Sequence, residues 1–377
     1  MRFLKKKIRN NQKITLVISD LHLSAGSLIE GRRNYLENFY SDFELCDFFQ
    51  FYSSGDYENQ EVEVIINGDF LDFLAVPYVN FFDDEFWSEK SSLAKLEMII
   101  EAHREVFEGI KVFLSRPKKK ITYLVGNHDA EIIHEAVQKR VKDVLTTSES
   151  DIDKSFQILI DGDNYFPHKK ICIQHGHNFE RAHRFETKKS LQKDNKNENH
   201  FIAPWGSYYV MRVVNHFKKE RSFIDSIRPI KSFLIYGIIF DTFFTLRFIF
   251  ANIHYAVMVF IIHYLKRFGL VEGSKRVMQE LELFQDFSSY VQNFFELNKD
   301  IDVFVVGHTH EAEITSYAGN KVFINTGTWT KMFNLDFAKR QEGLKLTYAY
   351  FSTEEEKLLS SELYIWRGKN HLPYIEF

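Results

Sequence analysis

The chain has 377 residues, of which 45% are apolar, so it can bury the core of one large domain or of two. Its formal net charge of −4 provides no overall attraction to nucleic acid. Cys46 and Cys172 are too few for a disulfide framework, and we expect two buried thiols in a cytoplasmic protein. The segment before the first strand is basic and short of apolar residues, so no signal peptide is expected.

Runs of β-type apolar residues alternate along the chain with segments of helical periodicity, a pattern typical of an α/β protein. We predict helices over residues 33–52, 87–115 and 132–145. Strands are predicted over residues 14–19, 62–67, 121–125, 156–160, 170–174, 303–306, 322–325 and 344–351. The charged segment 354–377 fits either a last strand or a surface that binds a partner.

Five short polar clusters each follow one of these strands. They supply carboxylate, amide and imidazole donors, and they are Asp20-Leu21-His22, Gly68-Asp69-Phe70-Leu71-Asp72, Gly126-Asn127-His128-Asp129, His175-Gly176-His177 and Gly307-His308-Thr309-His310. Ligands of α/β folds bind beyond the ends of strands. Since polar side chains gathered there without partners would be costly, the clusters together predict a metal-dependent enzyme. Nitrogen and oxygen donors without thiolate suit Mn²⁺, Fe or Zn²⁺.

In order and spacing, the clusters resemble the motifs of the calcineurin-like metallophosphoesterase superfamily: D-x-H, G-D-x-x-D, G-N-H-[DE], H-G-H and G-H-x-H. The nearest likeness is to bacterial members related to UDP-2,3-diacylglucosamine pyrophosphatase, which share the D-L-H-L-S run found at Asp20–Ser24. The resemblance covers residues 14–178 and 302–333. It implies a four-layer αββα sandwich built from residues 1–178 and 300–377, with a mainly helical cap inserted at 179–299. It also implies hydrolysis of phosphoester or pyrophosphate bonds.

The resemblance further implies two divalent metal ions, and Mn²⁺ is the expected ion. One ion would be held by Asp20, His22, Asp69 and His310, and the other by Asp69, Asn127, His175 and His308. Asp69 would therefore bridge the two ions, as hydrolysis at a two-metal centre requires. Asp72 is expected to support the site or to cap a helix.

Five further residues are assigned around these ligands. His128 would face the substrate rather than a metal, as a catalytic residue. Asp129 or a similar carboxylate would orient it and keep it protonated, so we also predict a catalytic role for Asp129. His177 fits either a substrate contact or a surface histidine. Arg181 and Arg184 lie with His183 and Lys188 in a basic part of the chain soon after His175, and of this set we predict that the two arginines bind the substrate phosphate.

Residues 232–270 are dense in Phe, Ile and Leu, with Asp241 and Arg247 as interruptions. Three structures compete for this segment: a buried helical pair in the cap, a hairpin that enters one leaflet, and a membrane anchor. Basic flanking residues suit the anionic inner face of a membrane, where the protein would bind peripherally. An apolar lid predicts a lipid-linked substrate, and the resemblance to UDP-2,3-diacylglucosamine pyrophosphatase-like members implies a lipid-linked or nucleotide-linked one.

Two other functions share these features. A nuclease or cyclic-nucleotide phosphodiesterase would use the same metal ligands and would stack bases on aromatic side chains, such as Trp205, Tyr208 and Tyr209 beside Arg212. A non-catalytic scaffold that binds a membrane or a partner would keep the fold without hydrolysis.

Overall fold

The structure is a computed structural model that describes residues 12–77, 87–146, 152–160, 164–193, 197–259, 287–335, 342–368 and 372–373. Over these residues, strands β1 to β19 are, in chain order, Lys13–Ile18, Leu28–Ile29, Arg32–Arg33, Glu61–Asn67, Lys119–Leu124, Phe156–Leu159, Tyr165–His168, Ile171–Ile173, Leu191–Lys193, Asn199–Phe201, Ile227–Arg228, Val303–Val306, Glu313–Tyr317, Lys321–Asn325, Met332–Asn334, Glu342–Gly343, Thr347–Glu354, Lys357–Ile365 and Leu372–Pro373. Helices α1 to α11 are Asp42–Tyr52, Glu89–Ala102, Arg104–Leu114, Glu135–Leu145, Ile152–Ser155, Thr187–Ser190, Trp205–Tyr209, Asn215–Lys218, Ile230–Phe240, Thr242–Val259 and Phe287–Leu297.

Most of the long strands belong to two sheets. The larger has the order β19-β18-β17-β1-β4-β5-β6, with β1, β4, β5 and β6 parallel to one another. The smaller has the order β13-β14-β12-β8-β7, with β8, β12 and β14 parallel. The carboxyl ends of parallel strands meet at one edge of a sheet, so each sheet gathers the loops that follow its parallel strands.

The two sheets and their helices form four layers. Side chains such as Val17 and Ile65 of the larger sheet pack against Ile173 and Val305 of the smaller one. Helices α1 to α4 cover the outer face of the larger sheet, and α11 covers the smaller one. The predicted αββα sandwich is therefore confirmed. Helix α11 lies within the range 179–299 that was predicted as an insertion, and its side chains pack on the smaller sheet.

Residues 205–259 form helices α7 to α10, with a π-helical turn at Val210–Val214 between α7 and α8. This region is joined to the sandwich beside the loop that follows β4, where the Asn215 side-chain amide donates to the Leu74 carbonyl at 2.8 Å. Among the described residues, α10 is the one helix long and apolar enough to cross a membrane. The assignment of 179–299 as a separate cap stays a prediction, and residues 260–270 of the predicted apolar segment lie outside the described residues.

The helix predicted over 33–52 begins only at Asp42. Glu30 and Gly31, with φ of 50° and 75°, form the turn between β2 and β3. Arg32 and Arg33 after this turn are therefore in a strand and not in a helix. The Glu37 carboxylate then accepts the backbone amides of Gly26 and Phe39, at 2.7 and 2.9 Å, and holds the chain in an irregular path. The prediction was therefore wrong for residues 33–41.

The C-terminal segment supplies a strand. Residues 357–365 form β18, which pairs antiparallel with β17, so this part of segment 354–377 packs in the larger sheet. The predicted strand 344–351 corresponds to β17, which begins three residues later at Thr347.

The helix predicted over 87–115 is divided at His103 into α2 and α3. The buried His103 imidazole lies 2.6 Å from an Asp42 carboxylate oxygen, through Nδ1, and 3.4 Å from a Glu37 oxygen, through Nε2. Burial opposes the charged imidazolium, but the two carboxylates outweigh it and raise the pKa of His103 to about 9.

This pKa predicts a pH-dependent stability. Because the folded pKa of about 9 lies above the ordinary value of 6.5, the contribution is complete below about pH 6.5 and is lost as the pH rises through 9. We expect His103→Gln to lower the free energy of unfolding by up to about 3 kcal/mol at pH 6 and by much less at pH 10. Urea unfolding across this range measures it, with exposed His216→Gln as the control. A His103→Gln deficit that does not change with pH would contradict the assignment.

Candidate two-metal site

Loops from both sheets meet at one place. Asp20 and His22 follow β1, Asp69 follows β4, and His308 and His310 follow β12. All five have left-handed backbone conformations, with φ between 52° and 68°. Such a conformation costs a non-glycine residue about 1–3 kcal/mol and persists where the surroundings impose it, commonly at functional sites. Five together at the ends of three strands mark this place as a candidate site.

Backbone hydrogen bonds lock these loops to one another. The Asp20 amide donates to the Gly68 carbonyl at 3.1 Å, and the His22 amide donates to the Asp69 carbonyl at 2.9 Å. The Asp69 carboxylate accepts the His128 amide at 2.8 Å. The Asp20 carboxylate accepts the His308 amide at 3.0 Å, so the loop from one sheet fixes a carboxylate on the other.

The motif glycines allow this close approach. A Cβ atom on Gly126 would lie 2.2 Å from Asp69 Oδ1, and one on Gly307 would lie 2.4 Å from Asp20 Oδ2. Contacts below 3.0 Å are essentially never observed for Cβ atoms, so any side chain at either position would displace a carboxylate.

The first cluster consists of Asp20, His22 and His310, whose ligand atoms lie within 4.8 Å of one another. The Nε2 atoms of His22 and His310 are 3.0 Å apart, and His310 Nε2 is 3.4 Å from Asp20 Oδ1. His22 Nδ1 lies 3.1 Å from Asp72 Oδ2, so Nδ1 donates and Nε2 keeps its lone pair for the cluster. Burial, which outweighs the effect of Asp20, lowers the pKa of His310 to about 4 and keeps this ring neutral.

The second cluster consists of Asp69, His175 and His308. His175 Nδ1 donates to the Asn67 carbonyl at 2.7 Å, which leaves the lone pair of the neutral ring on Nε2. That nitrogen lies only 3.3 Å from Asp69 Oδ2. Two acceptors this close repel each other unless positive charge is present. Burial disfavours a charged imidazolium, but the Asp69 carboxylate outweighs burial and raises the pKa of His175 to about 10.

The donors of both clusters fit two divalent cations. Asp69 Oδ2 lies 3.9 Å from His22 Nε2 as well as 3.3 Å from His175 Nε2, so one oxygen lies between the clusters. Separations of about 3 Å are those of neighbouring ligands on one cation with bonds of ~2.1 Å. Asn127 Oδ1 is buried without a hydrogen-bond partner among the described residues, as expected of an oxygen that would bind a metal. The structure thus brings together the seven predicted ligands, whose role as ligands stays a prediction.

His128 is oriented by Asp72 and not by Asp129. His128 Nδ1 lies 2.9 Å from Asp72 Oδ1, while the other Asp72 oxygen contacts His22. Burial opposes the charge, but Asp72 and Asp69 outweigh it and raise the pKa of His128 to about 9. Asp72 also caps the short helical turn Phe73–Ala75, so both of its expected roles are present.

The fully buried Asp129 carboxylate accepts from the Tyr123 hydroxyl and the Gly126 amide, each at 2.5 Å, and from the Phe70 amide at 2.9 Å. It faces the end of β5 and is occupied there by backbone and hydroxyl donors. Asp129 therefore stabilises the loop, and the carboxylate that orients His128 is Asp72. Asp129 contributes only its charge to raising the His128 pKa, and a catalytic role for it stays a prediction.

The predicted substrate contacts have different surroundings. His177 is buried and stacks on Phe185, with ring centroids 5.2 Å apart and an interplanar angle of 15°. Arg181 and Arg184 are exposed, and neither guanidinium forms a hydrogen bond or an ion pair with a residue that the structure describes. Phosphate binding by these arginines stays a prediction.

Glu180, which the sequence did not indicate as a site residue, lies with His183 beside the second cluster. Glu180 Oε2 is 3.4 Å from His308 Nε2 and 3.4 Å from His183 Nε2. His183 Nδ1 lies 3.4 Å from the side-chain nitrogen of Asn127. Burial opposes ionisation of Glu180, but His308 outweighs it and lowers the Glu180 pKa to about 2. Glu180 is the third residue after His177, one helical turn further on, and that spacing is the signal that could have found it.

No protein-family model and no curated protein matches the sequence. Among solved structures, a predicted phosphoesterase from Streptococcus pneumoniae is 10% identical over 96% of this chain and 97% of its own, with a TM-score of 0.30. Vacuolar protein sorting 29 from Cryptosporidium parvum is 12% identical over 97% and 98%, with a TM-score of 0.33. A dimetal phosphatase from Danio rerio is 11% identical over 94% and 99%, with a TM-score of 0.34. Similarities this loose do not define the activity of this chain.

The glycine contacts predict a sensitive position. Gly126→Ala would push the Asp69 carboxylate away from both clusters, and we expect the affinity for Mn²⁺ to fall about tenfold or more. Gly343→Ala is the matched control, because its added methyl carbon would meet only a Lys345 side-chain carbon at 3.7 Å. Isothermal titration calorimetry measures both. Equal Mn²⁺ affinity in the two variants would show that Asp69 does not bind the metal.

Asp72 offers a second test, because it contacts His22 and His128 at once. We expect Asp72→Asn to reduce hydrolysis of a phosphate diester about 10- to 100-fold, since an amide no longer fixes both rings with their Nε2 atoms toward the site. Exposed Asp143→Asn is the control. Wild-type rates in Asp72→Asn would remove Asp72 from the site.

Proposed function

We propose that the chain is a metal-dependent hydrolase of phosphoester or pyrophosphate bonds that uses two divalent cations. The observation that carries this proposal is the position of Asp69 Oδ2, 3.3 Å from one histidine nitrogen and 3.9 Å from another that belongs to a different cluster. A carboxylate in that position can bridge two ions. The nitrogen and oxygen donors support Mn²⁺ as the ion.

The chemistry divides between the cations and the protein. When bound, such cations neutralise the phosphoryl oxygens and lower the pKa of an attacking water. Asp20, His22 and Asp69 fix the geometry through strained, hydrogen-bonded loops. His128 is held by Asp72 through Nδ1, so its Nε2 carries the other imidazolium proton, which it would donate to the leaving oxygen.

We further propose that the substrate is lipid-linked or nucleotide-linked. The apolar helices α9 and α10 support this, because α10 attaches to α7, and the adjoining α8 bonds to Leu74, two residues beyond Asp72. An apolar helical surface so near the phosphate chemistry suits a substrate with a hydrophobic part. We also propose a cytoplasmic location, where Cys46 and Cys172 would remain thiols.

The activity is tested with bis-p-nitrophenyl phosphate and Mn²⁺. We expect Asp69→Ala to lose metal and activity together, because it removes the oxygen between the clusters. His128→Ala should keep both ions and lose about 100-fold or more in kcat, the contribution of a general acid. Colorimetric rates and inductively coupled plasma mass spectrometry of the same samples give both quantities.

Asp143→Ala and His216→Ala, both exposed, are the matched controls and should retain wild-type rates. If the wild-type protein binds metal but hydrolyses neither this ester nor a lipid-linked pyrophosphate, the scaffold function replaces the enzyme. An Asp69→Ala variant that keeps its activity would contradict the two-metal site.

A further inference from the structure

Helices α9 and α10 present an apolar surface to solvent. No residue of α9 is buried, and in α10 only Phe244 and Thr245 are. Phe240 and Phe243, at the junction of the two helices, are 83% and 76% exposed. Ile239, Phe250 and Ile253 are also more than half exposed. This exposure argues against the buried helical pair, one of the three structures that the sequence allowed, and an apolar area of this kind marks an interaction site.

Two polar side chains of α10, those of Asn252 and Tyr255, point the other way, toward the protein, whereas His254 is exposed. The Asn252 side-chain oxygen accepts from the Tyr209 hydroxyl at 2.7 Å, and the Tyr255 hydroxyl donates to the Trp205 carbonyl at 2.8 Å. Helix α10 is therefore attached along one side to α7. This attachment favours a surface that rests on its partner over a helix that crosses a membrane alone.

The charges near this surface are neutralised in pairs. Arg221 contacts Asp241 at 2.7 Å, and Arg247 forms a bidentate pair with Glu220 at 2.6 and 3.1 Å. Arg221 also lies over the Phe244 ring, 5.0 Å from its centroid. Exposed ion pairs add little stability in water, but pairing reduces the cost of bringing charge to an apolar environment.

The remaining charge is positive. Asp225 is paired with Lys218 at 2.8 Å, so the carboxylates of residues 212–247 all have a cationic partner. The exposed Lys219 and Lys231 form no ion pair with a carboxylate that the structure describes. An apolar face with basic residues at its edge fits a surface that carries negative charge above an apolar interior.

We propose that the exposed face of α9 and α10, centred on Phe240 and Phe243, docks on an anionic lipid bilayer. With 11 residues and about 16 Å, α9 is too short to span the ~30 Å core, so the hairpin rests in one leaflet. A twofold dimer through this face would instead bring Lys219 and Lys231 close to the same lysines of the second copy, and these like charges would repel. The inference goes beyond the hydrolase activity and does not rest on it, because vesicle binding needs no substrate.

The test is flotation of the full-length protein with vesicles. We expect binding to phosphatidylcholine vesicles that contain phosphatidylglycerol, weaker binding without it, and release by salt. Phe240→Ser/Phe243→Ser should lower the partition coefficient about tenfold or more, since two phenyl groups no longer enter the bilayer. Lys219→Glu/Lys231→Glu should lower binding to the anionic vesicles alone. Phe43→Ser, at an equally exposed phenylalanine (77%) on α1, is the matched control and should bind as the wild type does.

Three results would overturn the proposal. One is a wild-type protein that binds no vesicle. If residues 260–286 were the partner of this face instead, hydrogen exchange of α9 and α10 would show protection without lipid. Another is equal binding by Phe240→Ser/Phe243→Ser and by the wild type. The third is a concentration-dependent dimer, measured by sedimentation equilibrium, that this variant abolishes, which would identify a second copy as the partner. Circular dichroism melts establish that each variant is folded, and ester hydrolysis measured separately keeps failure of this inference distinct from failure of the hydrolase proposal.

Discussion

The arrangement of the site depends on one buried carboxylate. Asp69 is held by the His128 amide through Oδ1, while Oδ2 lies near histidine nitrogens of two separate clusters. The hydrogen bonds of His22 and His175 fix their tautomers, so lone pairs rather than protons face this oxygen when the rings are neutral. So many acceptors in a buried space repel one another unless positive charge lies among them. That need for cations connects the fold with a metal-dependent reaction.

The αββα sandwich brings the loops that carry these acceptors to one place. Parallel strands in two sheets direct their following loops to a common edge, and the loops form backbone hydrogen bonds with one another. The segment after β14 completes the enclosure, because the Thr328 hydroxyl donates to the Asp20 carbonyl at 2.6 Å. These hydrogen bonds hold five residues in strained left-handed backbone conformations, as expected at a functional site.

Much of this could be predicted from the sequence, since β-type runs ending in Asp, Asn and His specify both strands and ligands. What failed depended on direction and distance. Spacing along the chain could not reveal that Asp129 turns toward Tyr123 while Asp72 turns toward His128. Glu180 joins the site through its contact with His308, which follows β12 and is distant along the chain. Composition also showed that segment 232–270 is apolar. It could not show that the apolar side chains of α9 and α10 are exposed.

The most direct test of the central claim is electron paramagnetic resonance of the protein titrated with Mn²⁺. If Asp69 bridges two ions, two Mn²⁺ bind per chain and give the multiline spectrum of an exchange-coupled pair, which Asp69→Asn abolishes. A six-line spectrum of isolated ions at full occupancy, or a single ion per chain, would contradict the account.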